Sequence, residues 1–113
     1  MAESFSVRSE RTATVHRVIP TGELDIATAP ILEREFDAAQ VAGEDVVIVV
    51  DLTELAFMDS SGLNVLLQLN DRFPNRLRVI NGSPAVERLL DLSGVRSRLP
   101  IISPDADPLT PLA

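Results

Sequence analysis

The sequence predicts an α/β domain on a mixed, mostly parallel β-sheet, with an amino-terminal hairpin and helices packed against the sheet. Three observations lead there. From about residue 12 to residue 102 the chain alternates between strand-like and helix-like patterns. Val46-Val47-Ile48-Val49-Val50 is a run of β-branched residues with no polar alternation, the mark of a central strand covered on both faces by helices or loops. The two amino-terminal strand-like segments are joined too tightly for a crossover, so they pair as a hairpin.

The hairpin is read as Phe5–Arg8 and Thr12–Ile19 around a polar turn at Ser9-Glu10-Arg11. Thr21-Gly22-Glu23-Leu24-Asp25 reads as a loop. Thr28 is placed to cap the first helix, with Pro30 just inside it and Ala29, Leu32, Phe36 and Ala39 on one stripe. Gly43 ends that helix. After the Val46–Val50 strand, Asp59-Ser60-Ser61-Gly62 opens a second amphipathic helix carrying Leu63, Leu66, Leu67 and Asn70, which stops near Phe73-Pro74. Leu77 to Ile80 is a strand. Ser83-Pro84 opens a third helix (Val86, Leu89, Leu90), and Ser93-Gly94 closes it; Glu87 is one residue too far from Ser83 for a capping box. A short strand follows at Leu99–Ile102. From Ser103 the chain holds Pro104, Pro108 and Pro111 and is expected to be irregular. The 113 residues therefore read as a single domain, core about 4–102, with a Pro-rich tail over 103–113.

Composition narrows the function. With a net charge of −7 and only four aromatic residues, all Phe, the chain is poorly suited to nucleic acid, which would be repelled by charge and would find few stacking platforms. Absence of Cys removes disulfides, thiolate metal sites and cysteine nucleophiles. The single histidine, His16, excludes a multi-histidine metal site, and no EF-hand spacing or P-loop is present, so no metal and no cofactor are expected. A serine hydrolase would need a base near Ser60 or Ser61 and a G-x-S-x-G elbow, and that motif is missing. The start, Met1-Ala2-Glu3-Ser4, lacks the basic and apolar regions of a signal peptide, and the longest apolar run is far short of a membrane span. A cytoplasmic protein with no membrane partner is expected. Glu33 to Asp37 reads as a solvated helix face, and Arg72, Arg76 and Arg78 as a small basic surface spot.

In an open α/β sheet, sites gather beyond the carboxyl ends of the strands. Three polar turns are expected to meet there: Gly22-Glu23-Leu24-Asp25, Asp59-Ser60-Ser61-Gly62 and Asn81-Gly82-Ser83. By spacing alone, Asp and Ser before a helix are ordinary caps. The same helix N-terminus favours an anion, so a phosphate on a serine there needs no refolding.

The stretch from Val46 through Asp51-Leu52-Thr53-Glu54-Leu55-Ala56-Phe57-Met58 to Asp59-Ser60-Ser61-Gly62-Leu63 resembles the signature of the bacterial anti-sigma-factor antagonists, single-domain members of the STAS family. Upstream Gly22-Glu23-Leu24-Asp25 with Thr28-Ala29-Pro30, and downstream Ser83-Pro84-Ala85-Val86, Leu89-Leu90 and Ser93-Gly94-Val95, extend the likeness from about Val18 to Val95. The resemblance implies a non-enzyme that binds an anti-sigma factor with serine kinase activity and so frees a sigma factor. It implies that the kinase phosphorylates Ser60, switching the antagonist off, and that a PP2C-type phosphatase reverses this. Gly22, Glu23, Asp25, Asp59, Ser60, Ser61, Gly62 and Asn64 would then form the docking surface. A helical wheel turns Ser61 outward and Ser60 over the Leu63 and Leu67 stripe; Ser60 is preferred because a first-turn residue can project past the sheet edge. Asn64 replaces a small residue common in the family, and the Gly62–Leu77 span is about one helical turn short. A STAS scaffold module of a transporter or stress-signalling assembly, with Ser60 only a cap, is the alternative reading.

Overall fold

The computed structural model describes residues 5–41 and 45–111. Its elements are β1 (Ser6–Arg11), β2 (Val15–Leu24), α1 (Ala29–Val41), β3 (Val47–Asp51), β4 (Leu55–Met58), α2 (Ser60–Arg72), β5 (Leu77–Ile80), α3 (Pro84–Ser93), a 3-10 turn (Arg96–Arg98) and β6 (Ile101–Ile102). The sheet runs β1-β2-β3-β5-β6, with β4 paired to β2 off that path. Among the described residues, only the β1–β2 hairpin is antiparallel, and every other pair is parallel.

The α/β reading and the hairpin hold, with corrected boundaries. β1 continues through Ser9-Glu10-Arg11, and the reversal falls at Thr12–Thr14, where the Thr12 hydroxyl accepts from the Thr14 and Val15 amides at 3.2 and 2.9 Å. β2 runs through Thr21-Gly22-Glu23-Leu24, read from the sequence as a loop. Gly22 signals a turn in isolation; here its φ of 94° accommodates an irregularity in register at Gly22/Glu23, after which the strand pairs with β4. β4 went unread because Leu55-Ala56-Phe57-Met58 has no β-branched residue and is squeezed between a turn and a cap. Gly43, read as the stop of α1, lies outside the described residues.

Successive steps from β2 to β3, β5 and β6 all move the same way across the sheet, so right-handed crossovers place α1, α2 and α3 on one face. The core lies between them: Val18, Ile48, Val50, Leu77 and Val79 from the sheet meet Leu32 and Phe36 of α1, Leu66 and Leu69 of α2, and Val86 and Leu90 of α3. The other face explains the missing alternation in β3. Ile19, Val49 and Ile80 are buried there too, beside an ion pair between Arg17 and the buried Asp51. Burial pushes the Asp51 carboxyl up, but hydrogen bonds from the Thr53 hydroxyl (2.6 Å) and amide (3.0 Å), with the Arg17 guanidinium, hold it below the usual carboxylate range.

Arg78 does not belong to a surface spot. It is buried on β5, its Nη1 donating to the Asn75 and Leu77 carbonyls, and burial lowers its pKa. Arg72 pairs with Asp37 at 2.8 Å, and Arg76 donates from Nε to the Val46 carbonyl while lying over the Phe73 ring. Residues 103–111 contain turns but no helix or strand.

Candidate partner-docking site at the start of α2

Two elements build this site. The end of β2 pairs with β4 through Leu24 and Met58, and the Asp59 amide donates to the Leu24 carbonyl at 3.2 Å, fixing where the chain leaves the sheet. Asp59 is extended, and its Oδ1 accepts from the Ser61 amide at 2.8 Å as an N-cap. Its carbonyl accepts from the Gly62 and Leu63 amides at 3.1 and 3.3 Å. The helix thus starts under a satisfied cap, with Ser60 as its first residue.

Ser60 is exposed and Ser61 half-buried, the reverse of the helical-wheel placement. The wheel assumes a surface along the whole stripe, whereas at the first turn the sheet has already ended. Ser60 Oγ makes no hydrogen bond among the described residues. Within the next two turns the helix is buried normally, through Leu63 and Leu66.

Gly62 is what lets α2 sit this close. A Cβ at that position would lie 2.3 Å from Met58 Cγ, 2.8 Å from Met58 Sδ and 3.0 Å from Leu24 Cδ2. Met58 and Leu24 are themselves buried, so both have little room to yield.

The loop before α1 is ordered from within. Asp25 Oδ1 accepts from the Ala27 and Thr28 amides at 3.0 and 3.1 Å. Thr28 stands where the sequence placed a cap, and its carbonyl accepts from the Ile31 and Leu32 amides. Its hydroxyl turns back, however, accepting from the Asp25 amide and donating to the Glu23 carbonyl, both at 2.9 Å. That clamp holds the β2–α1 loop beside α2 and leaves Glu23 exposed.

Of the three polar turns, two therefore meet. The third does not join them: Asn81-Gly82-Ser83 packs on Leu52 after β3, where the Leu52 amide donates to the Ile80 carbonyl at 3.0 Å, and Asn81 faces Glu87 of α3 at 3.5 Å. Asn64 is exposed on α2 one turn beyond Ser60. His16 is buried near the start of β2, whereas Leu24 at its far end adjoins Asp59. Eight residues of strand separate them, about 26 Å, so His16 cannot serve Ser60 as a base.

Three features escaped the sequence reading. Ile26 is 79% exposed in the loop before α1, and Phe57 is exposed on β4. A groove opens between α1 and α2 in two adjoining parts of about 250 and 350 Å³, sharing Pro30, Glu33, Val65 and Gln68. Its near end reaches Ile26, Ser61 and Asn64; its far end reaches Arg34, Asp37 and Arg72. The third feature is a segregation of charge. Residues 21–33 and 53–71 hold Glu23, Asp25, Glu33, Glu54, Asp59 and Asp71 without one Arg, Lys or His. An aliphatic Ile26 inside a polar turn and this cation-free pair of segments were both visible in the sequence.

A family model for the STAS domain matches residues 7–105. The chain belongs to the STAS domain family. Among curated relatives, this STAS domain is 37% identical over 95 residues to an anti-sigma F factor antagonist of Paenibacillus polymyxa, covering 81% of each chain. It is 32% identical over 97 residues to an anti-sigma-B factor antagonist of Listeria monocytogenes, covering 81% of this chain and 83% of the relative. Among solved structures, an anti-sigma factor antagonist from Mycobacterium paratuberculosis superposes with a TM-score of 0.79 at 28% identity, over 95% of this chain and 93% of that one. No helix among the described residues of the STAS domain is long and apolar enough to cross a membrane.

Proposed function

We propose that this protein is a cytoplasmic anti-sigma-factor antagonist whose partner is an anti-sigma factor with serine kinase activity, and that phosphorylation of Ser60 switches it off. The residues from about 4 to 102 act as one domain that performs no chemistry of its own and needs no cofactor. Gly22, Glu23, Asp25, Asp59, Ser60, Ser61, Gly62 and Asn64 supply or shape the docking surface. The observation that carries the reading is the exposed Ser60 side chain at the first position of α2, on a junction already ordered by the Asp59 cap. The names borne by the relatives support the same class of partner.

In the transfer step Ser60 Oγ attacks the γ-phosphorus of ATP held by the partner, ADP leaves, and the hydroxyl proton passes to a base of the partner. Hydrolysis by a PP2C-type phosphatase returns the serine and inorganic phosphate. The phosphate adds a charge of about −1.5 to −2 at the positive end of the α2 dipole, so the helix tolerates it without rebuilding. Segments 21–33 and 53–71 hold no cation for it to fold back onto, so it stays presented to the partner. The switch then works at the interface, through the cost of stripping water from the phosphate and repulsion from acidic groups of the partner that pack on Ser60.

Incubation with the kinase-type anti-sigma factor and ATP, followed by phosphosite mapping, tests the assignment to Ser60; modification at Ser61 or at neither serine would overturn it. Titration calorimetry tests the switch: Ser60→Ala is expected to bind constitutively and Ser60→Asp poorly. Equal affinity for both variants would sink the mechanism.

A further inference from the structure

The α1–α2 groove begins at Ser61 and Asn64, next to Ser60, and its near half is lined by apolar Ile26, Ala29, Pro30 and Val65 with one charged side chain, Glu33. Glu33 makes no ion pair among the described residues. The far half is different: there Arg72 bridges to Asp37 at 2.8 Å and Arg34 donates to the Pro30 carbonyl. The groove is thus electrostatically graded: its uncompensated acid, Glu33, lies where the two halves join, and no basic side chain lines the half nearest Ser60.

An isoleucine at 79% exposure gains nothing for the isolated fold, since its side chain stays in water. A near half of about 250 Å³ is small for a drug-sized ligand but accepts a side chain or two of a protein. Its charge rejects anionic groups and lipid headgroups of the same sign. We infer that the near half of this groove is a docking slot for a cationic segment of a protein partner, one that inserts an aliphatic side chain against Ile26 and Val65 and sets Arg or Lys beside Glu33. The inference rests on the reading above that the partner docks at the Ser60 end, and it deepens that reading by naming the chemistry of the partner's surface. Ile26 would be the buried anchor and Glu33 its charged rim, the usual division of an interface into an apolar centre that supplies affinity and charges that set rate and specificity. Because the partner's cations would lie along the groove toward Glu33, they leave the contact on Ser60 itself free to exclude a phosphate.

The slot can be tested without a kinase or an anti-sigma factor. In amide-resolved NMR titrations of the full chain, acetyl-Arg-Leu-Arg-amide is expected to give saturable shifts clustered at Ile26, Ser61, Asn64 and Val65. Acetyl-Arg-Gly-Arg-amide should bind about fivefold more weakly, for want of the aliphatic insert, and acetyl-Glu-Leu-Glu-amide should not bind. Ile26→Ala, an exposed substitution that leaves the fold intact, should remove the difference between the Leu and Gly peptides. Glu33→Gln should weaken both cationic peptides and flatten their salt dependence. Equal shifts from the cationic and acidic peptides, shifts scattered over the surface, no saturable shift at millimolar peptide, or an unchanged Leu preference in Ile26→Ala would each overturn the inference. Failure here leaves Ser60 phosphorylation standing, and failure of phosphorylation leaves the slot standing, so the two readings are separable.

Discussion

Gly62→Ala is the substitution whose outcome the geometry fixes most closely. The added methyl would sit 2.3 Å from Met58 Cγ and 3.0 Å from Leu24 Cδ2, against an ordinary contact of about 3.5–4.0 Å. Overpacking of this kind costs about 1–3 kcal/mol, and a clash on two walls that are both buried belongs at the upper end. Working against it, Ala is favoured over Gly inside a helix by about 1 kcal/mol. The net expectation is a loss of about 1–2 kcal/mol. The decisive measurement is a double-mutant cycle with Met58→Ala, followed by urea unfolding at constant pH. Met58→Ala alone should cost about 2–5 kcal/mol by opening a cavity, but it also removes both Met58 contacts that the new methyl strikes. In that background Gly62→Ala should become neutral or stabilise by up to about 1 kcal/mol. An equal loss in both backgrounds would show that the Gly62–Met58 approach does not seat α2, and the account of how Ser60 is presented would fall with it.

Further outcomes concern the cap and two of the buried titrating groups, His16 and Asp51. Asp59→Ala removes the acceptor for the Ser61 amide and should cost about 0.5–2 kcal/mol in urea unfolding, with hydrogen exchange quickening first at Ser61 and Gly62. His16 is buried with no hydrogen bond to either ring nitrogen among the described residues, and burial, reinforced by Arg11 of β1 and opposed by Glu35 of α1, lowers its pKa. A folded pKa below the unfolded value of about 6.5 means that the unfolded chain takes up the proton first. Stability is therefore whole above that pH and falls as pH drops below it, by at most about 1.4 kcal/mol per pH unit. His16→Leu should abolish that slope and, by removing two unsatisfied polar atoms, raise the urea midpoint at neutral pH; a slope that persists between pH 6.5 and 5 would refute the assignment. Asp51 acts in a lower window. Its depressed pKa contributes stability above about pH 4 that is lost as pH falls further. Asp51→Ala should cost about 2–3 kcal/mol, since it strands Thr53 and Arg17 together, and should flatten the acid limb of the stability curve below pH 4.

Much of this protein was legible in one dimension. The β-branched run at Val46–Val50 gave the central strand because only a strand buried on both faces tolerates five such residues in a row. Leu77–Ile80 and the third helix with its Pro84 start and Gly94 stop came out at the observed limits, since proline and glycine act locally. Ser60 was placed at a helix start by Asp59 before it and Gly62 after it. Local signals erred where a long-range partner overrode them. Gly22 looked like a turn until β4 paired across it, and β4 exists as a strand because β2 offers it a ladder.

What the chain's order alone determined is the sequence of strands and helices, the acidic, cation-free character of segments 21–33 and 53–71, and the residues that cap α2. Only the tertiary structure decided which of the two serines faces water, that the Asn81–Ser83 turn stands apart, and that Ile26 and Val65 border one groove. The reason is physical. Caps, turns and charge act over a few residues and are written locally, whereas exposure depends on where the neighbouring sheet ends, a distance set by pairing between segments some thirty residues apart.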